Sequence, residues 1–565
     1  MENSVVDWSR KVVAAQGAWR SARSIRAGSH ACTRGAAVLL LTLLSAARPA
    51  VAQNAADAYR QTVLSIQQQI EANDFDGARR TIAEAEKKYP ANGGLENLLG
   101  VIEIQQRHTD LARQDFASAI RHDPHLAGAC LNLSRMDMQS AATDAAARAE
   151  ARRLSERVLQ LEPANDEANY QLATILGWEK SYQRSLDHLV KLSPQAQGQV
   201  SAEALRCSDE AALGHRDETT QAVSSLAANP DLTEQDALAC LPQLRAARRA
   251  DSIETIFAAA AKRQALSAAG QRILGLAQEA EGKLKEARAT LENAFAADSK
   301  SVVVLVDLTR LAEAMSDHDG ALGYLAHARD REPADATLPY EFGVICLKMD
   351  LYGEARKALE EAVKLAPENP QYNYELGIVA SFGNDPAEGL RYIEKYYSLK
   401  PKDAAGILAL GTTYFRAKDY DNAQKWLKQA VANPTTAADA HFYLGRIARQ
   451  ESRLEEAIDD LNQSLALRGD QPDVLAELGQ IYVGNRDYAR AAPSLERAIR
   501  LDPDNYAANF GLLQLYARTG DARQEQQSKH FDAIKDKKEE RDRQRMRVIE
   551  FRPSGESENL EKQTK

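Results

Sequence analysis

The chain has few aromatic residues, few cysteines, no excess of positive charge and no long apolar run. Aromatic residues make up 6% of its 565 positions, so its interior depends on alanine, which is plentiful, for close contacts. The five cysteines, Cys32, Cys130, Cys207, Cys240 and Cys346, form no CxxC pair, so no zinc module of that kind is expected. Cys346 falls on the apolar side of a helical pattern. Cys207 and Cys240 hold near-equivalent positions about one helix diameter, ~10 Å, apart. A disulfide needs Cα atoms within about 7 Å, so the cysteines read as small core residues. A net charge of −10 argues against general nucleic-acid binding, which draws on a basic surface. The apolar run Ala36 to Ala47 is too short for a membrane span of about 20 residues.

Chemistry is also missing. The sequence contains no P-loop, no GxSxG, no HExxH and no EF-hand loop. His122-Asp123-Pro124-His125 comes nearest to a metal cluster, but two histidines without further ligands do not make one. No pair of carboxylates is set apart by apolar neighbours for acid–base work. The expectation is no catalytic residue, no metal and no cofactor.

What is present is a period. In steps of 34 residues the chain reads Leu274, Leu308, Phe342, Leu376, Leu410, Leu444, Leu478 and Leu512. Glycine follows at Gly275, Gly343, Gly377, Gly411, Gly445 and Gly479. A second ladder holds Ala287, Ala321, Ala355, Gly389, Ala423, Ala457 and Ala491, and a third holds Leu291, Leu325, Leu359, Ile393, Leu427, Leu461 and Leu495. Pro333, Pro367, Pro401 and Pro503 close their units. Within one unit Leu376, Gly377 and Ala380 share a face of a first helix, and Gly389, Ile393 and Tyr396 share a face of a second. Small residues at the crossing let helix axes approach toward the near end of about 8–10 Å, and the proline prevents the second helix from continuing. A single hairpin cannot bury both faces and must stack on its neighbours. The length, which would otherwise suggest three or four globular domains, is taken up by a one-dimensional array.

Leu/Phe-Gly, a later alanine, a bulky residue four positions on, another alanine and a closing proline, repeated at 34 residues, resemble the tetratricopeptide repeat. The resemblance implies an all-α, right-handed α-solenoid of about thirteen stacked helix-turn-helix units.

In chain order, residues 1–52 resemble an export leader. Arg20, Arg23, Arg26 and Arg34 precede the apolar run, and Ala50-Val51-Ala52 fits small-x-small cleavage before Gln53. More than thirty residues precede the apolar core, so either the leader is unusual or the true start lies downstream; the other reading is an uncleaved, structureless N-terminus. No cysteine follows the run, which argues against a lipid anchor. Residues 53–267 read as degenerate units. Ala78, Ile82, Ala85 and Pro90 match half a unit, and Leu99, Gly100, Ala112, Phe116, Ala119 and Pro124 match a whole one. The interval from Pro124 to Pro163 exceeds the period by five residues, and longer helices are expected there. Residues 200–267 keep helical spacing but lose the glycine and proline signals. Residues 268–520 are the regular array, 521–550 a charged segment and 551–565 a tail of disordered composition. The charged segment reads either as a binding arm or, preferably, as a solvated helix capping the last unit.

In the family this sequence resembles, first helices line the binding groove. Carried over position by position, the ligand-facing places fall on Tyr340, Tyr374, Phe382, Phe415, Arg416, Phe442, Arg446, Arg449, Phe510 and Arg518. Aromatic rings and arginines are common hot spots. The expected function is a non-enzymatic scaffold in the bacterial periplasm or envelope for a protein or peptide, with a glycan as the other candidate partner. The alternative is an accessory module of envelope polysaccharide or pilus assembly. The Lys and Asn clamp of chaperone-binding members is absent: Tyr340 and Val344, or Tyr374 and Ile378, stand in its place.

Overall fold

The computed structural model describes residues 50–545 apart from Asn384, with side chains over 57–540. The leader up to residue 49, Cys32 and the tail from residue 551 lie outside the described residues. Among the described residues there are 29 helices and no strand. Twenty-eight of them pair into fourteen antiparallel hairpins, with the short Pro194–Gln197 left over. This is an all-α solenoid. It divides into two compact units, the first ending at Leu266 and the second beginning at Ser267.

In the second unit each ladder has a mechanical role. Leu291, Leu325, Leu359, Ile393, Leu427, Leu461 and Leu495 are completely buried, each worth about 1.5–3 kcal/mol for a side chain of this size. The glycine sixteen positions earlier lies against each of six of them. A Cβ at Gly411 would stand 2.7 Å from Leu427 Cγ and 3.2 Å from the Leu427 amide nitrogen. Gly275, Gly343, Gly377, Gly445 and Gly479 meet Leu291, Leu359, Ile393, Leu461 and Leu495 in the same way. The close approach leaves no room for a side chain and outweighs glycine's cost of about 1 kcal/mol in a helix.

Helix ends follow from the same repeat. Asn369, Asp403, Asp419, Asp487 and Asn505 cap first or second helices by accepting backbone N–H bonds, each cap typically contributing about 1 kcal/mol. Pro333, Pro367, Pro401 and Pro503 stand directly after the C-caps Glu332, Ala366, Lys400 and Asp502. Among the described residues, the turns inside seven hairpins of the second unit carry a left-handed residue. These run at the period through Gly282, Ser316 and Asp350, then Lys418, Ser452, Arg486 and Gly520. Most are not glycine, so each accepts backbone strain that its well-packed flanking helices hold in place.

The first unit is built alike but less regularly. Its core includes Ile66, Ile82, Leu95, Ile102 and Phe116, and a Cβ at Gly100 would stand 2.6 Å from the Phe116 ring. The five extra residues before Pro163 are taken up mainly by the 17-residue helix Ala145–Leu161, against 14 residues in the preceding second helix Thr109–His122. Where the glycine and proline signals fade, packing changes partner. The helices Val200–Leu213 and Glu234–Ala246 lie directly against each other, with Ala202, Ala204, Ala237 and both cysteines buried. The Cys240 thiol donates to the Ala204 carbonyl at 3.3 Å. Cys130, Cys207, Cys240 and Cys346 are buried free thiols, as their apolar positions led us to expect.

The charged segment forms the helix Gln524–Arg545. It seats Phe531 and Ile534, 8% and 5% exposed, on the last repeat helix, Tyr506–Thr519. Phe531 contacts the rings of Tyr506 at 4.9 Å and Phe510 at 5.6 Å. Gln527 Nε2 donates to the Asn509 side-chain oxygen at 2.9 Å.

Candidate partner-binding wall

Five first helices of the second unit carry the sequence-predicted positions: Thr337–Lys348, Pro370–Phe382, Ala404–Arg416, Ala437–Gln450 and Tyr506–Thr519. The first four bury a Leu-Gly or Phe-Gly face against their own second helix, and Gly511 of the last lies against Leu495 of the preceding helix. That fixes the direction of the face bearing the candidate residues.

The candidates fall into three environments. Tyr340 and Tyr374 are half-buried: Tyr340 stacks on Tyr372 at 4.6 Å and 27°, and Tyr374 meets Tyr396 at 5.0 Å. Beside them Glu341 and Glu375 are pushed up from the usual carboxylate range, chiefly by burial, with Glu313 and Asp335 adding to the shift at Glu341. This part of the wall is acidic. Phe382, Phe415, Arg416, Phe442, Arg446 and Arg449 form one continuous cluster. Arg416 lies over Phe382, 3.5 Å from the ring centre, and Arg446 lies over Phe415 at 4.8 Å. Phe415 and Phe442 each meet Tyr443 edge-on at 5.3 Å. Arg446 bonds Glu477 at 3.2 Å, Arg449 bonds the same carboxylate, and Arg449 also donates to Gln480 at 2.9 Å. Phe510 and Arg518 stand apart. Phe510 contacts the C-terminal helix through Phe531, and Arg518 donates to the Val483 carbonyl at 2.8 Å.

Sequence reasoning missed Tyr443, which joins Phe415 to Phe442, and Glu477, which pairs with two arginines. Neither holds a ladder position or a family ligand-facing place, so only the packing of adjacent helices reveals them. His122 bonds the Glu96 carboxylate at 2.8 Å. Among the described residues no group of three or more metal-binding side chains is placed to hold an ion. Among them, too, no helix is long and apolar enough to cross a membrane.

The family model of the tetratricopeptide repeat matches residues 67–127, 340–404, 408–472 and 477–523. These stretches match the repeat over somewhat less than half of the chain, and the last three contain the whole candidate wall. The chain is similar to the BBSome complex member bbs-4 of Caenorhabditis elegans, 26% identical over 167 residues, or 29% of this chain and 36% of that protein. It is also similar to the Protein O-mannosyl-transferase TMTC3 of Homo sapiens, 24% identical over 192 residues, or 33% of this chain and 21% of that one. The match thus spans about a third of the first relative and a fifth of the second. Among solved structures, the APC/C hetero-tetramer Cut9-Hcn1 aligns at 14% identity over 80% of this chain and 95% of that one, with a TM-score of 0.34.

Proposed function

We propose that the chain is a non-enzymatic interaction scaffold that holds a protein or peptide on the first-helix wall, after export into the bacterial envelope. The observation that carries the binding reading is the continuous cluster of Phe382, Phe415, Arg416, Phe442, Arg446 and Arg449 on adjacent first helices. Rings and guanidiniums in contact, facing away from the Leu-Gly seam, provide apolar area and directed donors together. Tetratricopeptide repeats across this region support the reading.

The test of binding is the double variant Tyr374→Ala with Phe442→Ala. It removes one ring from each half of the wall and leaves the buried Leu376 and Leu444 in place. Affinity for a partner captured from envelope extract is expected to fall by at least about 2 kcal/mol, the scale of a hot spot. Calorimetry measures the loss, and circular dichroism confirms that the helices remain. Unchanged affinity in a folded double variant refutes the wall. A captured glycan in place of a protein would instead favour the role in envelope polysaccharide assembly.

Export rests on the apolar run and on Ala50-Val51-Ala52. Protein purified from its native host is expected to begin at Gln53 by N-terminal sequencing. Recovery from cytosol with the leader intact would rule this out.

A further inference from the structure

The basic residues of the wall differ in how their charge is met. One position of the 34-residue unit, at the C-terminal end of the first helix, recurs at Lys348, Arg416 and Arg518. Lys348 bonds Glu313 at 2.5 Å, and Arg518 donates to the Val483 carbonyl at 2.8 Å. Arg416 has neither kind of partner. Its Nε is buried with no hydrogen-bond acceptor, and its contact is the Phe382 ring, 3.5 Å from the guanidinium carbon. Stacking occupies a face of the guanidinium, whereas all five N–H donors lie in its plane, so the ring consumes none of them.

The surroundings add to this surplus. Burial and the neighbouring Arg446 both push the Arg416 guanidinium down from its usual range, as expected where positive charge is undercompensated. Glu477 is the carboxylate bonded to Arg446 and Arg449. Three arginines with that single carboxylate leave a local excess of positive charge on a chain whose net charge is −10. At the other end of the wall, Glu341 and Glu375 would repel an anion. Beyond Phe382, the next ring is Phe415, which has Arg446 over it and Tyr443 at a steep angle beside it. Phe382 itself is 52% exposed, so apolar area that suits an aliphatic or aromatic side chain adjoins the guanidinium.

We infer that Arg416, stacked on Phe382 and flanked by Arg446, is an anion receptor for an aspartate or glutamate side chain in an extended partner peptide, with the adjoining apolar residue of that peptide against Phe415 and Tyr443. This rests on the wall being the binding surface and adds the chemistry of its occupant. A carboxylate in the guanidinium plane makes the bidentate pair that arginine favours.

The probes are short fluorescent peptides alternating Leu or Phe with Glu, the same peptides with Gln for Glu, and a labelled glucuronate oligosaccharide, all read by fluorescence anisotropy. The Glu peptides are expected to bind more tightly than the Gln peptides. Arg416→Gln should weaken the Glu peptides about tenfold or more, the scale of a charged hydrogen bond, and leave the Gln peptides unchanged. Arg416→Lys should restore part of the loss. Added salt should weaken the wild type more than Arg416→Gln. Equal binding of Glu and Gln peptides, or an unaltered Glu affinity in Arg416→Gln, overturns the anion site. The wall itself survives that result if Tyr374→Ala with Phe442→Ala still weakens both peptides. It falls as well if no variant changes any peptide affinity or if no peptide binds. Arg416-dependent binding of the glucuronate probe alone overturns the peptide assignment. Circular dichroism of each variant separates lost binding from lost structure.

Discussion

Gly411→Leu is expected to destabilise its hairpin by about 3 kcal/mol, the upper end of the usual cost of overpacking. A Cβ alone would stand 2.7 Å from Leu427 Cγ and 2.8 Å from its Cδ2, closer than carbon atoms approach. Leu427 cannot swing away, because it is fully buried with Ala423 and Ala430, themselves at most 1% exposed, on the same helical face. The Leu427 amide nitrogen, 3.2 Å away, prevents relief by a small rotation, so the helices Ala404–Arg416 and Tyr420–Ala430 must separate. In an array where each hairpin rests on its neighbours, damage spreads by adjacency. Hydrogen exchange should quicken most in those two helices, less in Pro386–Leu399 and Ala437–Gln450, and not at all in His318–Arg331. Loss of protection spread evenly over all these helices would show that the hairpins do not couple as nearest neighbours. Leu427→Ala in the Gly411→Leu background should recover part of the loss, and a double-mutant cycle isolates that coupling.

The interlock of Gly411 with Leu427 was legible in the sequence because it is a matter of period. Leu-Gly, the alanine ladder and the closing prolines recur because the same crossing and the same helix end are rebuilt in every unit. The left-handed turn residues recur just as strictly, yet they were not legible. Gly282, Ser316, Asp350, Lys418, Ser452 and Arg486 share a backbone conformation but no side chain. The surrounding hairpin imposes that conformation, so residue type does not report it. That the candidate residues fall on first helices was legible by position, but their pairing was not. That Arg449 and Arg446 share Glu477, that Arg518 binds a carbonyl and that Arg416 binds neither depends on which side chain the next unit presents. Such pairings do not repeat at 34 residues. In the first unit, residues 200–267 kept helical spacing, but the direct packing of Val200–Leu213 on Glu234–Ala246 left no periodic mark. One consequence, a buried carboxylate on the first of these helices, could not be read from Ser208-Asp209-Glu210.

That carboxylate makes the stability of the first unit depend on pH near neutrality. Asp209 is 1% exposed, and its Oδ2 has no hydrogen-bond partner. Burial is the main cause that raises its pKa from 3.8 to about 7; the nearby Glu210 adds to the rise, and a hydrogen bond from Ser185 opposes it. Glu210 itself contacts His215 at 2.8 Å. The folded state therefore holds a proton on Asp209 that the unfolded chain has released. Wherever the folded state binds more protons, stability falls as pH rises, here across the interval from about 4 to about 7. Three units at about 1.4 kcal/mol each amount to about 4 kcal/mol. Asp209→Asn keeps the shape and removes the charge. Hydrogen exchange over Val200–Leu213 is the right measurement, because a solenoid need not unfold in one step. The wild type should lose protection in this helix between pH 5 and pH 8, beyond the intrinsic change in exchange rate. The variant should lose much less, so its advantage in protection over the wild type should widen steadily from pH 5 to about pH 7 and persist at pH 8. Equal pH dependence in the two proteins would mean that Asp209 stays charged throughout, with water reaching its Oδ2, and that the buried carboxylate costs the fold little.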